Sequence, residues 1–155
     1  MTDGRRSAQR VRWRYAAVVP VLLVALAACS GGPSVQERSR TEVRAKVTAA
    51  QGRFEQVLRT PGDSYADRAR SAVGDDQFPV TLVTEAREQS GMVEVVAIVT
   101  AKTTSTKHGY AEDYAARACI RLSARPGADA TATVADVNCP DVRTAEPADE
   151  TISVA

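Results

Sequence analysis

Histidine is nearly absent from this sequence: among 155 residues there is one, His108. A single imidazole gives no second histidine for a metal site, and a Ser-His-Asp hydrolase would have to be built on that one side chain. No nucleophile motif accompanies it. The chain has no Gly-x-Ser-x-Gly, no Ser-x-x-Lys, no His-Glu-x-x-His and no glycine-rich phosphate loop. Aromatic residues are also scarce, with two phenylalanines, four tyrosines and one tryptophan, Trp13. A core built from this stock is modest. Paired carboxylates need only spatial proximity and leave no motif, so a hydrolase with a dispersed carboxylate site stays open as an alternative.

Long apolar runs are missing too. Ala16–Ala28 is uncharged and apolar for 13 residues. As a helix it would reach about 20 Å at ~1.5 Å per residue, short of the ~30 Å hydrocarbon core. Five arginines precede it (Arg5, Arg6, Arg10, Arg12, Arg14), and small residues and a cysteine close it. This order of basic flank, short apolar stretch and small residues is that of a secretory signal peptide.

Leu26-Ala27-Ala28-Cys29 resembles the lipobox of bacterial lipoproteins. The resemblance implies cleavage between Ala28 and Cys29, a thioether-linked diacylglycerol on Cys29 and acylation of the new amino terminus. Two or more acyl chains anchor stably where one binds marginally. The resemblance covers residues 1–29 and is silent about the rest. Arginine outnumbers lysine 17 to 3, a bias associated with GC-rich genomes, those of actinobacteria among them.

Removing residues 1–28 takes away five arginines and Asp3, leaving 15 basic and 18 acidic residues and a net charge of −3. No basic block remains to attract nucleic acid. The 127 residues left suffice for one domain. The expected organisation is a cleaved signal (1–28), a lipidated tether (29–33), a single domain (34–140) and a disordered acidic tail (141–155). With Cys29 committed to lipid, an exported chain keeps Cys119 and Cys139, and an even count in an oxidising compartment favours a disulfide. A metal pair is the alternative, but it needs more ligands than His108 supplies; no metal site and no cofactor is expected.

Ser34 and Glu37 form a capping-box pattern. Val43, Val47, Ala50, Phe54, Val57 and Leu58 then recur on one helical stripe as far as Pro61-Gly62. The first two turns are polar and read as projecting beyond the core. Asp63–Val73 reads as a shorter helix. From Phe78 the period becomes two, giving strands over 78–87 (Val80, Leu82 and Thr84 inward), 92–106, 114–124 and 131–139. The last part of the second strand, from Thr100, is polar on both faces and is expected to leave the core. The expected fold class is α+β: a long helix and a short one packed on a four-stranded antiparallel meander. In element order alone this resembles cystatin-like and NTF2-like folds.

These readings imply a lipid-anchored protein on the extracytoplasmic face of the cell membrane. Its expected role is that of a non-catalytic binding or accessory module of the cell envelope, with an envelope protein as partner. The helix stripe can cover one face of the sheet, so the other face is expected to meet water or that partner. Polar donors and aromatic area gather near the loop after the second strand, so Lys107, His108, Tyr110 and Tyr114, with Lys102 beside them, are the candidate binding residues. The competing reading is that the tyrosines staple the loop to the sheet.

Overall fold

A computed structural model describes residues 32–74, 80–107, 109–142, 145 and 147–155. Residues 1–31, on which the expected signal segment and Cys29 fall, the Asp75–Pro79 connection and His108 lie outside the described residues. Pro33–Ala155 forms one compact unit.

Helix α1 spans Val35–Arg59. Its start is the expected capping box: Ser34 Oγ accepts from the Glu37 N–H at 3.1 Å, and Glu37 Oε2 accepts from the Ser34 N–H at 2.9 Å. Its buried residues are Val35, Ser39, Val43, Val47, Ala50, Phe54 and Leu58, one every third or fourth position. Val35 and Ser39 correct the sequence reading, because the first turns do not leave the core. A buried serine among charged neighbours carries no hydrophobic signal, and its burial depends on a partner far along the chain.

Helix α2, Tyr65–Val73, buries Ala69 and Val73 against α1. Each helix end is satisfied by an arginine of the other. Arg53 Nε donates to Ala72 O at 2.7 Å, and Arg68 Nη2 donates to Val57 O at 3.2 Å and to Thr60 O at 3.1 Å. The last carbonyls of a helix lack intrahelical donors, and a cation suits that end of the dipole.

The sheet runs β1 (Val80–Gln89), β2 (Met92–Lys107), β3 (Tyr110–Ala124) and β4 (Thr133–Asp136), antiparallel and in that order. With two helices packed on it, the α+β architecture is as expected. Gln89 pairs with Met92, so Ser90-Gly91 is a two-residue turn with φ of 53° and 71°. Both values are positive, as a hairpin that matches the strand twist requires. The hairpin of β2 and β3 is long and regular, closing at Lys107↔Tyr110. The third strand therefore starts four residues before the expected Tyr114.

Alternate residues of β2 and β3 face the helices: Val93, Val95, Ala97, Val99 and Ala101 from one, Ala116, Ala118, Ile120, Leu122 and Ala124 from the other. Ala101 is fully buried and Thr103 is 8 % exposed, so β2 stays in the core past Thr100. The alanines leave little bulk between α1 and the sheet, and Phe54 and Leu58 are the largest fully buried side chains among the described residues.

In β1 the expected inward set is reversed. Thr81 pairs with Val99 and Val83 with Ala97, so these two face the helices, while Leu82, opposite Ile98, lies on the outer face. The backbone of Val80 pairs with Thr100, and its side chain is not among the described positions. A register shift between Val83 and Glu85 leaves Thr84 unpaired in the ladder and brings Ala86 to the core side. Val80 to Val83 is nearly apolar at both parities, so alternation could not choose between the faces.

Two further expectations are corrected. The segment 141–155 is not a disordered tail in its described last residues. Glu150–Thr151 forms β5, parallel to β3 through Ala116 and Arg117, and Ile152 is 9 % exposed within the core. Nor is the outer face of the sheet bare at its centre. Ile98 and Cys119 are each 2 % exposed there, and Cys119 is bonded to Cys139 with an S–S length of 2.00 Å. The fourth strand stops at Asp136, and the Val137 N–H still reaches Cys119 O at 2.9 Å.

Candidate functional site

A connected group of polar side chains lies where β5 meets the first turns of α1. Arg40 grips Glu150 with two hydrogen bonds, Nε to Oε2 at 2.8 Å and Nη2 to Oε1 at 2.7 Å. Tyr114 Oη donates to Glu150 Oε2 at 2.8 Å and accepts from Gln36 Nε2 at 3.1 Å. Four residues from α1, β3 and β5 thus form one connected network. The Arg40 guanidinium, followed by the Tyr114 hydroxyl, holds the Glu150 carboxyl well below its ordinary value, at about 2. Glu150 in turn pushes the Tyr114 phenol up and raises Arg40.

Between Gln36 and Arg40 on α1, Ser39 completes the attachment from inside. Its hydroxyl donates to Ala101 O at 2.7 Å and accepts from the Ala116 N–H at 3.1 Å. Ala101 and Ala116 are paired residues of β2 and β3, so a helix side chain bridges the two strands. Next to this region an open groove of about 760 Å³ runs past Pro33, Arg40, Arg44, Glu150 and Ile152.

The structure separates the candidates that the sequence grouped. Tyr114 is half-buried in the network with Glu150 and Gln36, which makes it a staple between elements. Tyr110 is 81 % exposed at the closing pair of the hairpin. Lys102 Nζ lies 2.9 Å from Asp113 Oδ2, on the outer face of the same hairpin. Lys102 and then the Thr104 hydroxyl, which donates to Asp113 Oδ1 at 2.7 Å, hold that carboxyl below its ordinary value. The Lys107 side chain, His108 and Cys29 are not among the described positions.

Gln36, Ser39, Arg40 and Glu150 were missed by the sequence reading. No local signal marks them: Arg40 is one of many helix arginines, and its partner stands 110 residues away.

Chemically, the network is suited to holding, not to proton transfer. A general acid or base works best with a value near the operating pH. Glu150 is far below it and both its oxygens are engaged. Glu85 and Glu94 each pair with Arg87. Among the described residues, no three His, Cys, Asp or Glu side chains are grouped as metal ligands. No described helix is long and apolar enough to cross a membrane. No known protein family, no curated protein and no solved structure matches this chain.

Proposed function

We propose that this protein is a lipid-anchored, extracytoplasmic lipoprotein that serves the cell envelope as a binding or accessory module. The observation that carries the reading is the sequence Leu26-Ala27-Ala28-Cys29 standing four residues before a compact unit that begins at Pro33. Ser30 to Pro33 spans at most about 14 Å when extended, at ~3.5 Å per residue. A domain on so short a tether works at the membrane surface. The polar network supports the non-catalytic part of the reading, because its groups are already engaged with one another.

The test is the intact mass and membrane partition of the full chain expressed in a bacterial host. The expected product lacks residues 1–28, carries diacylglycerol on Cys29 and stays with membranes through a carbonate wash. Cys29→Ser should lose both the lipid mass and the retention. A Cys29→Ser protein that remains in the washed membranes overturns the anchor. Crosslinking in intact membranes then asks for the envelope partner, and hydrolysis of envelope polymers by the purified protein would favour an enzyme instead.

A further inference from the structure

The end of the domain from which the tether leaves is also the end where the long hairpin protrudes. Three contacts fix the direction of α1 over the sheet. At its start, Gln36 reaches Tyr114 and Ser39 bridges Ala101 and Ala116. At its finish, Leu58 O accepts from the Gly127 N–H at 3.1 Å, and Arg59 donates to Ala130 O at 2.8 Å. The helix therefore begins over the mouth of the β2–β3 hairpin and ends over the opposite edge.

From Tyr114 the hairpin continues four more residues to Tyr110, a reach of about 14 Å at ~3.4 Å per residue. Pro33 lies three residues, less than one helical turn, before Gln36. The hairpin mouth thus extends at least as far from the body of the domain as the point where the tether attaches. It also carries Tyr110, the large apolar side chain that stands out as exposed among the described residues.

We propose that Tyr110 seats in the headgroup layer of the membrane that holds the lipid, giving the domain a second contact with the bilayer. The proposal rests on the lipid-anchored reading of Cys29. A tyrosine suits that layer because its ring is apolar and its hydroxyl stays hydrated; membrane proteins are enriched in tyrosine there. One ring adds little affinity by itself. With Cys29 already in the bilayer, its insertion is intramolecular and the effective lipid concentration is high. Two contacts at one end hold the domain upright, with α1 leading away from the bilayer and restrained from swinging freely. The clamp of Arg40, Glu150 and Tyr114 makes this possible, because it ties the helix that bears the tether to the strand that bears Tyr110.

The sequence offers a clean probe. Trp13 is the sole tryptophan and leaves with the signal segment, so the processed chain has none. The full-length Tyr110→Trp protein is purified from membranes, its mass checked for lipid on Cys29, and reconstituted into phosphatidylcholine vesicles with and without acyl chains brominated near the headgroup. The expected result is a blue-shifted emission that the brominated lipid quenches. Thr131→Trp, at the opposite edge, should show neither effect. Retention of the native circular dichroism confirms that both variants fold, which the exposure of both positions favours. A lipidated Tyr110→Trp protein without quenching overturns the second contact and leaves the anchor standing. Equal quenching at both positions overturns it too, since the domain would then lie without a preferred end. A processed protein with no lipid on Cys29 ends both readings together.

Discussion

Arg40 and Glu150, 110 residues apart, meet through two parallel hydrogen bonds of 2.8 and 2.7 Å. The guanidinium fork matches the two carboxylate oxygens, a geometry that lysine cannot reproduce. This pair ties the last strand to the first helix, and Tyr114 adds a third element to it.

Replacing Glu150 by glutamine should change how stability responds to acid. The folded value, about 2, lies below the ordinary 4.5. A lowered carboxyl contributes stability that is fully present above the ordinary value and is lost as pH falls toward the folded one. The wild type should therefore lose stability more steeply between pH 4.5 and 2 than Glu150→Gln. Asp113 and Asp136 are lowered as well and decline in both proteins, so the difference between the two curves isolates Glu150. Urea midpoints measured across that range check it; parallel curves would refute it.

Removing residues 149–155 should destabilise the domain. The deletion takes away Ile152, which is 9 % exposed, the two pairings of β5 and the partner of Arg40. Burial of one Ile side chain contributes about 1.5–3 kcal/mol. A loss of ~1 kcal/mol already lowers Tm by about 4 °C in a domain of this size. Differential scanning calorimetry of the truncated chain should show a fall of at least that much. An unchanged Tm would mean that the end of the chain is only laid on the surface.

Ser39→Ala should cost more than an ordinary serine replacement. The hydroxyl is fully buried and serves one carbonyl and one N–H of neighbouring strands. Losing it leaves buried backbone groups unsatisfied, at about 1–3 kcal/mol. Chemical denaturation with an unchanged m-value measures this, and a loss within ~0.5 kcal/mol would place the bridge among ordinary surface bonds.

The Cys119–Cys139 bridge closes a loop of 20 residues. Loop-closure entropy for that length stabilises by about 3 kcal/mol. Alkylation of the native protein without reduction should modify neither Cys119 nor Cys139. Reduction should lower the urea midpoint accordingly. Two reactive thiols in the native protein would contradict the bridge.

Much of this architecture is local and could be read from the chain. The Ser34–Glu37 box, the stripe from Val43 to Leu58, the stop at Pro61 and a turn within residues 88–91 are each set within one or two turns of chain. The second strand, apolar at both parities from Val95 to Val99, announces a position between two neighbours, which β1 and β3 supply. The disulfide followed from a count of two cysteines, because a closed loop needs no information about the path between them.

The tertiary structure alone decided the rest, and each case has the same cause: the deciding partner is remote and adds no pattern nearby. Leu82 and Val83 are both apolar, so only the pairing with Ile98 and Ala97 chose which of them faces the helices. Tyr110 and Tyr114 look alike as sequence, yet Glu150 and Gln36 draw one into the network and leave the other 81 % exposed. The end of the chain reads as polar and acidic, and two residues of β5 with one isoleucine are too few to make a period. They are ordered by a free edge of β3, by Arg40 on a helix and by the core that receives Ile152. Short-range chemistry wrote the elements into the sequence; which of their surfaces are used up, and which remain, was fixed by contacts spanning nearly the whole chain.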